Sequence, residues 1–187
     1  AGIVRRAARL SLAVDELERL YRHVLAREAV RGGAEAVWRD YRRSARETKG
    51  TVPMLKLTAE AGQKLRAVPL DPGRRPLRVG IVGEIYGTID PWTNMRLETR
   101  LGLMGVEAER SVTIGEWIND YIIKKALHLP RDLAYAEAAS DYLGADIGGH
   151  ARETLGHAVL HARQGFDGVI QLYPLGCMPE IVAQAIL

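Results

Sequence analysis

Apolar residues recur near the start of the chain at Ile3, Ala7, Leu10, Val14, Leu17, Tyr21, Val24 and Leu25, close to an i, i+3, i+4, i+7 ladder. That period predicts an amphipathic helix over residues 3–30. Gly32-Gly33 ends it, a second helix is expected from about Ala34 to Ser44, and Gly50 with Pro53 marks the next break. The segment VPMLKL that follows reads as a short strand or an extended arm. In AVPLDPGRRP, residues 67–76, Pro69, Pro72, Gly73 and Pro76 crowd together and forbid regular structure. The chain thus divides into a helical region over 1–66, a linker over 67–76 and a further domain over 77–187.

That further domain changes period. LRVGIVG, residues 77–83, is a short apolar run rich in β-branched residues and bounded by turn formers, which fits a strand buried on both faces. A helix from Asn94 to Met104 is closed by Gly105, and a second strand follows at about Val106 to Val112. Helices are expected at Glu116–His128, Arg131–Tyr142 and Ala151–Gln164, then a strand in DGVIQLY, residues 167–173. A last helix begins near Pro179, a residue well tolerated in a first turn. Strands alternating with helices imply an α/β domain with a parallel sheet and right-handed crossovers.

Composition adds constraints. The 187 residues are 47% hydrophobic and 26% charged, enough for one core with a smaller helical annex. No stretch is apolar for long enough to span a membrane, and no export signal precedes the first helix, so the expectation is a cytoplasmic protein. The net charge of +3 comes from residues 1–50, where twelve Lys/Arg face seven Asp/Glu. Those arginines are interleaved with Glu16, Glu18, Glu28, Glu35 and Asp40 at helix-pairing distances, which reads as a solvated face and not as a nucleic-acid surface. The chain opens on Ala1 and stops on Ile186-Leu187 inside a helical pattern, as expected of a piece of a longer protein.

Ligands of open parallel sheets sit beyond the carboxyl ends of the strands. Three loops qualify. The first, residues 84–95, offers Glu84, Tyr86, Thr88 and Asp90; the second lies around Ser111–Gly115; the third, YPLGCMPE, places Cys177 between a strand and a helix. A cysteine ahead of a helix feels a positive field that favours the thiolate, the form that binds metal or attacks carbon. The alternative is a small buried apolar residue. Gly148 and Gly149, with His150, run into a helix start that can hold an anion such as a coenzyme A phosphate, or they form a plain connector. His150, His157 and His161 share one helical stripe, read as solvent-facing with Glu153 pairing to His157. Gly80 and Gly83 do not have the spacing of a dinucleotide fingerprint, and no serine elbow, Walker loop or HExxH motif is present.

Three blocks, RVGIVGEIYGTIDPWTN at 78–94, GGHARETLG at 148–156 and GFDGVIQLYPLGCMPEIVAQAIL at 165–187, together resemble the activase-related branch of the 2-hydroxyglutaryl-CoA dehydratase D-component family. The resemblance implies a partial flavodoxin-like or Rossmann-like α/β fold and an iron-sulfur protein in which Cys177 is a thiolate ligand of a [4Fe-4S] cluster. It also implies an ATP-dependent activator domain or subunit as partner, passing one electron toward reduction of an acyl-CoA thioester, in a homo- or hetero-oligomer acting as a lyase or its activase. Glu84 and Tyr86 are then the candidate catalytic residues. A cluster needs several thiolates, and Cys177 is the only cysteine, so the others would come from outside these residues or from a partner subunit. The competing reading is a non-enzymatic scaffold or electron-relay module, distinguished by an apolar mouth at the strand ends in place of converging Glu84, Tyr86 and Cys177.

Overall fold

A computed structural model of the protein describes residues 2–124, 128 and 133–187. Three helices come first: α1 over Gly2–Arg27, α2 over Gly33–Glu47 and α3 over Thr51–Arg66. The apolar ladder of α1 buries Leu17, Tyr21, Val24 and Leu25 against Ala34 and Tyr41 of α2 and Ala61 and Leu65 of α3. Trp38 stacks between Tyr21 and Tyr41, with ring centroids 4.8 and 5.4 Å away. The VPMLKL segment is helical, neither strand nor arm. Pro53 lies in the first turn of α3, where its missing N–H costs nothing, and Thr58, Ala61, Gly62 and Leu65 then repeat at helical spacing along the buried side. The charges of this region are not all solvated either. Glu28 is buried, and its carboxyl accepts the N–H groups of Gly32 and Ala34 at 2.9 and 2.8 Å, closing the start of α2.

Residues 67–76 lack helix and strand, yet they are tied to the end of α1. Ala29 N–H donates to Pro69 O at 2.9 Å, Asp71 N–H donates to Arg27 O at 2.9 Å, and Val68 joins the helical core. Beyond them lie β1 over Leu77–Gly83, β2 over Val106–Arg110 and β3 over Gly168–Leu172, forming a parallel sheet in the order β2-β1-β3. The mixed α/β architecture with a preceding helical region is as the hydrophobic pattern predicts.

The connections are α4 over Ile85–Ile89, α5 over Leu97–Leu103 and α6 over Ile114–Trp117, which continues as a π-helical segment over Ile118–Lys124. They are followed by α7 over Ala134–Ala139, α8 over Ala151–Arg163 and, after β3, α9 over Met178–Ile186. The helix expected from Asn94 begins three residues later, because Met95 and Arg96 hold left-handed backbone angles, φ 52° and 55°, that a helix cannot contain. The helices expected over 116–128 and 131–142 are shorter in their described parts. Positions 125–127 and 131–132 of those two lie outside the described residues. Because the chain leaves β1 toward β2 and then returns past β1 to β3, right-handed crossovers put α5 and α8 on opposite faces of the sheet. Among the described residues no helix is long and apolar enough to cross a membrane.

The histidine stripe on α8 is corrected at its far end. His161 is buried, only 5% exposed, where Gly80 of β1 has no side chain to oppose it. Its Nε2 lies 3.0 Å from Ser111 Oγ, and Phe166 packs on its ring with centroids 4.3 Å apart. His157 stacks on Tyr135, with centroids at 5.6 Å. A histidine periodicity reports a shared stripe, but the sheet decides how much of that stripe sees water.

Two outcomes follow. At Gly156 a methyl group would overlap the Tyr135 carbonyl of the adjoining α7, whereas at Gly168 it would enter open space. Thermal unfolding should show Gly156→Ala destabilised by about 1–3 kcal/mol, the usual cost of overpacking, with Gly168→Ala close to the parent; equal melting of the two would refute the close α7–α8 approach. Burial first, and then the charge of Arg78, lower the pKa of His161 below its ordinary value. Above about pH 6.5 the group is neutral in both states and nothing is lost. As pH falls through that value the unfolded chain takes up the proton first, so stability declines. Denaturant titrations from neutral to mildly acidic pH should show the parent losing more stability than His161→Gln, and parallel curves would remove His161 as the cause.

Candidate functional site at the carboxyl edge of the sheet

In the register Val79↔Gly168 to Gly83↔Leu172, β1 and β3 end side by side, and Glu84 N–H donates to Leu172 O at 2.8 Å. This is the point where the strand order reverses, the place where open parallel sheets commonly take their ligands. Glu84 and Cys177 belong to the loops after β1 and β3.

The side chains are committed differently. Glu84 caps α4, its Oε2 accepting Gly87 N–H at 2.9 Å. Tyr86 is exposed and lines a cleft of about 720 Å³ against Ser11, Val14 and Asp15 of α1 together with Ile89 and Ile114; Cys177 is not among the residues lining it. Asp90 closes the same loop by accepting from Thr93 Oγ1 at 2.6 Å and from the N–H groups of Trp92 and Thr93, and the Thr93 hydroxyl above all holds its carboxyl below the usual carboxylate range. Cys177 is half-buried directly before α9, its N–H donating to Pro174 O at 3.1 Å and its carbonyl accepting Ile181 N–H at 3.0 Å. Beside it Leu175 is fully exposed and Met178 largely so. The edge therefore gathers the loops of Glu84 and Cys177 while Tyr86 turns to α1.

The glycine turn before α8 adjoins this edge. Gly148 and Gly149 have φ of 78° and 62°, and a side chain at Gly149 would come within 2.7 Å of Pro179 in the first turn of α9. His150 caps α8 without a side-chain hydrogen bond, its Nε2 3.9 Å from Glu153. Asp146 accepts Gly148 N–H at 2.9 Å. With carboxylates of Asp146 and Glu153 already at this helix start, its positive end is partly answered from within the chain.

One group escaped the sequence reading. Glu180, fully buried, receives Thr154 Oγ1 at 3.0 Å from either carboxyl oxygen, and Gln171 Nε2 donates to its Oε2 at 2.8 Å and to its backbone carbonyl at 2.9 Å. These bonds tie α8, β3 and α9 together three residues from Cys177. An acidic residue in a first helical turn is ordinarily a solvated partner of the helix dipole, so no sequence signal marked it.

Among the described residues no group of three or more His, Cys, Asp or Glu converges in a way that could hold a metal ion. Cys177 is the only cysteine, so this chain does not by itself fit a complete [4Fe-4S] cluster.

Thr154→Val removes a donor to a buried carboxyl, and denaturant unfolding should register a loss of about 1–3 kcal/mol. Unchanged stability would mean that Gln171 alone suffices.

No protein-family model matches the chain, and no curated protein or solved structure matches it either.

Proposed function

We propose that this chain is an α/β module of an acyl-CoA dehydratase and activase type of system, and that Cys177 contributes one thiolate to an iron-sulfur centre completed by residues outside it. The observation that carries the reading is the place of the only cysteine: at the switch point of a parallel sheet, ahead of a helix, between exposed Leu175 and Met178. A half-buried sulfur in an apolar rim suits a ligand shared across an interface better than one in a self-contained site. The partner consistent with the resemblance is an ATP-dependent activator domain or a second subunit carrying the remaining thiolates. This chain's own part is to hold the start of α9 through the Glu180, Thr154 and Gln171 bonds and to present the flanking apolar side chains to that partner.

The scaffold reading has its own support. Glu84 is occupied as a helix cap and Tyr86 lines a different cleft, so these two do not converge with Cys177 as an acid and base. The two readings separate at the sulfur. Anaerobic reconstitution of the intact protein with iron and sulfide, followed by iron analysis and visible absorption, should show a marked loss in Cys177→Ser, since a serine oxygen is a poor replacement for a soft ligand. Equal iron and an unchanged spectrum in the variant would make Cys177 structural and leave the scaffold reading in its place.

A further inference from the structure

The outer side of α2 carries Arg39, Arg42 and Arg46 at i, i+3 and i+7, with Arg43 beside them. Across from them stands Arg96, in the turn that leads into α5. Between these walls runs a groove of two adjoining chambers of about 400 and 460 Å³ that share Trp38, Arg42, Arg46 and Arg96. Two of the arginines are answered within the chain, Arg43 by Asp40 at 3.0 Å and Arg96 by Glu35 at 3.5 Å. Arg39, Arg42 and Arg46 have no carboxylate partner among the described residues. The deeper chamber is floored by Arg22 and Arg110, paired with Glu98 and Glu18, so it adds no charge to offset that excess.

Repulsion among like charges at helix-neighbour spacing is unfavourable. Arg46 is compensated by the negative end of α2, but Arg39 and Arg42 lie in mid-helix, where the dipole offers them nothing. The inner wall is polar as well. Tyr21 and Arg22, each 4% exposed, back the deeper chamber, and the Tyr21 hydroxyl and Arg22 Nε are sealed beneath its surface without a hydrogen-bond partner of normal geometry. Finally, Arg96 is brought to the groove from a left-handed backbone that non-glycine residues avoid. Unpaired guanidinium groups around a concave, aromatic-walled space suit phosphate oxygens, which they bind in bidentate fashion. Trp38 is engaged in stacking with Tyr21 and Tyr41, so recognition falls chiefly on the phosphates.

We propose that the groove between α2 and the turn at 91–99 is a binding site for a small oligophosphate-bearing ligand, held chiefly by Arg39, Arg42, Arg46 and Arg96. The site is separate from the carboxyl edge, and the inference stands whether or not Cys177 ligates iron.

Calorimetric titration of the protein with inorganic tripolyphosphate, with ATP and with adenosine tests it. Saturable one-to-one binding of tripolyphosphate is expected, weakening as salt is raised, with adenosine silent. ATP binding as tightly as tripolyphosphate marks the phosphates as the whole determinant, whereas tighter ATP binding marks a nucleotide ligand; both support the site. Arg42→Gln/Arg46→Gln should weaken binding at least tenfold and Arg39→Gln severalfold, while Arg163→Gln, on α8, should leave it unchanged. All four positions are exposed, and circular dichroism confirms folding of each variant. Absence of tripolyphosphate binding, an equal loss in Arg163→Gln, or retention in the double variant would overturn the proposal. So would a duplex oligonucleotide that binds more tightly than either phosphate ligand, with several proteins per duplex, since that would make the groove part of a nucleic-acid face.

Discussion

Arg22, 4% exposed, holds its guanidinium 3.1 Å from Glu98, where α1 meets the α/β half; Arg110 of β2 reaches the same carboxylate at 2.9 Å and also pairs with Glu18 of α1. Burial lowers the pKa of Arg22, with Glu98 opposing the shift. Burial acts on Arg110 in the same sense, but Glu98 and Glu18 more than offset it and its pKa is raised. A buried cluster of this kind contributes little net stability compared with apolar residues of equal volume, yet removing one member leaves an uncompensated charge and is costly. The cluster joins α1 to both β2 and α5. Asp15, accepting Gly115 N–H at 2.8 Å, extends the same constraint to α6, and Glu107, paired with Arg27 and with His23 at 2.8 Å, extends it along β2.

From that fixed strut come both candidate sites. One stripe of α1 supports α2 and α3, and α2 presents the arginine groove. The other supports the flank of the sheet, whose carboxyl edge carries Glu84 and, through β3 and α9, Cys177. The cleft lined by Tyr86 lies against α1 itself. The two sites therefore share a rigid element, and Pro91 and Asn94, at the end of the loop that begins at Glu84, line the groove beside Arg96.

The positions that would carry chemistry are held by bonds that leave little freedom. Glu180 locks α9 against α8 and β3, and Asp90 organises the turn that delivers Arg96, with Arg96 N–H donating to Pro91 O at 2.7 Å. Such preorganisation of the backbone lowers the conformational cost of binding, because the turns need not be ordered when a ligand or partner arrives.

By itself the sequence determined the elements whose cause is local. The 3.6-residue ladder of α1, the β-branched run of β1, the glycine after α5 and the proline in the first turn of α9 each act through neighbours a few residues away, and each appears in the structure where the pattern places it. The parallel sheet followed from strand and helix alternation, and with it the shared edge of the Glu84 and Cys177 loops. What only the tertiary structure decided concerns groups whose partners lie far along the chain. Arg22 has the spacing of a solvated helix face, and Glu180 that of an ordinary first-turn acid; their burial goes with Glu98, Thr154 and Gln171, far along the chain, which no local period can report. His161 looked solvent-facing because a stripe fixes direction but not what stands opposite, and Gly80 made the room that buried it. Arg39, Arg42 and Arg46 became a site only when Arg96 closed the groove from across the core, since a concave surface is a property of two elements and is written in neither alone.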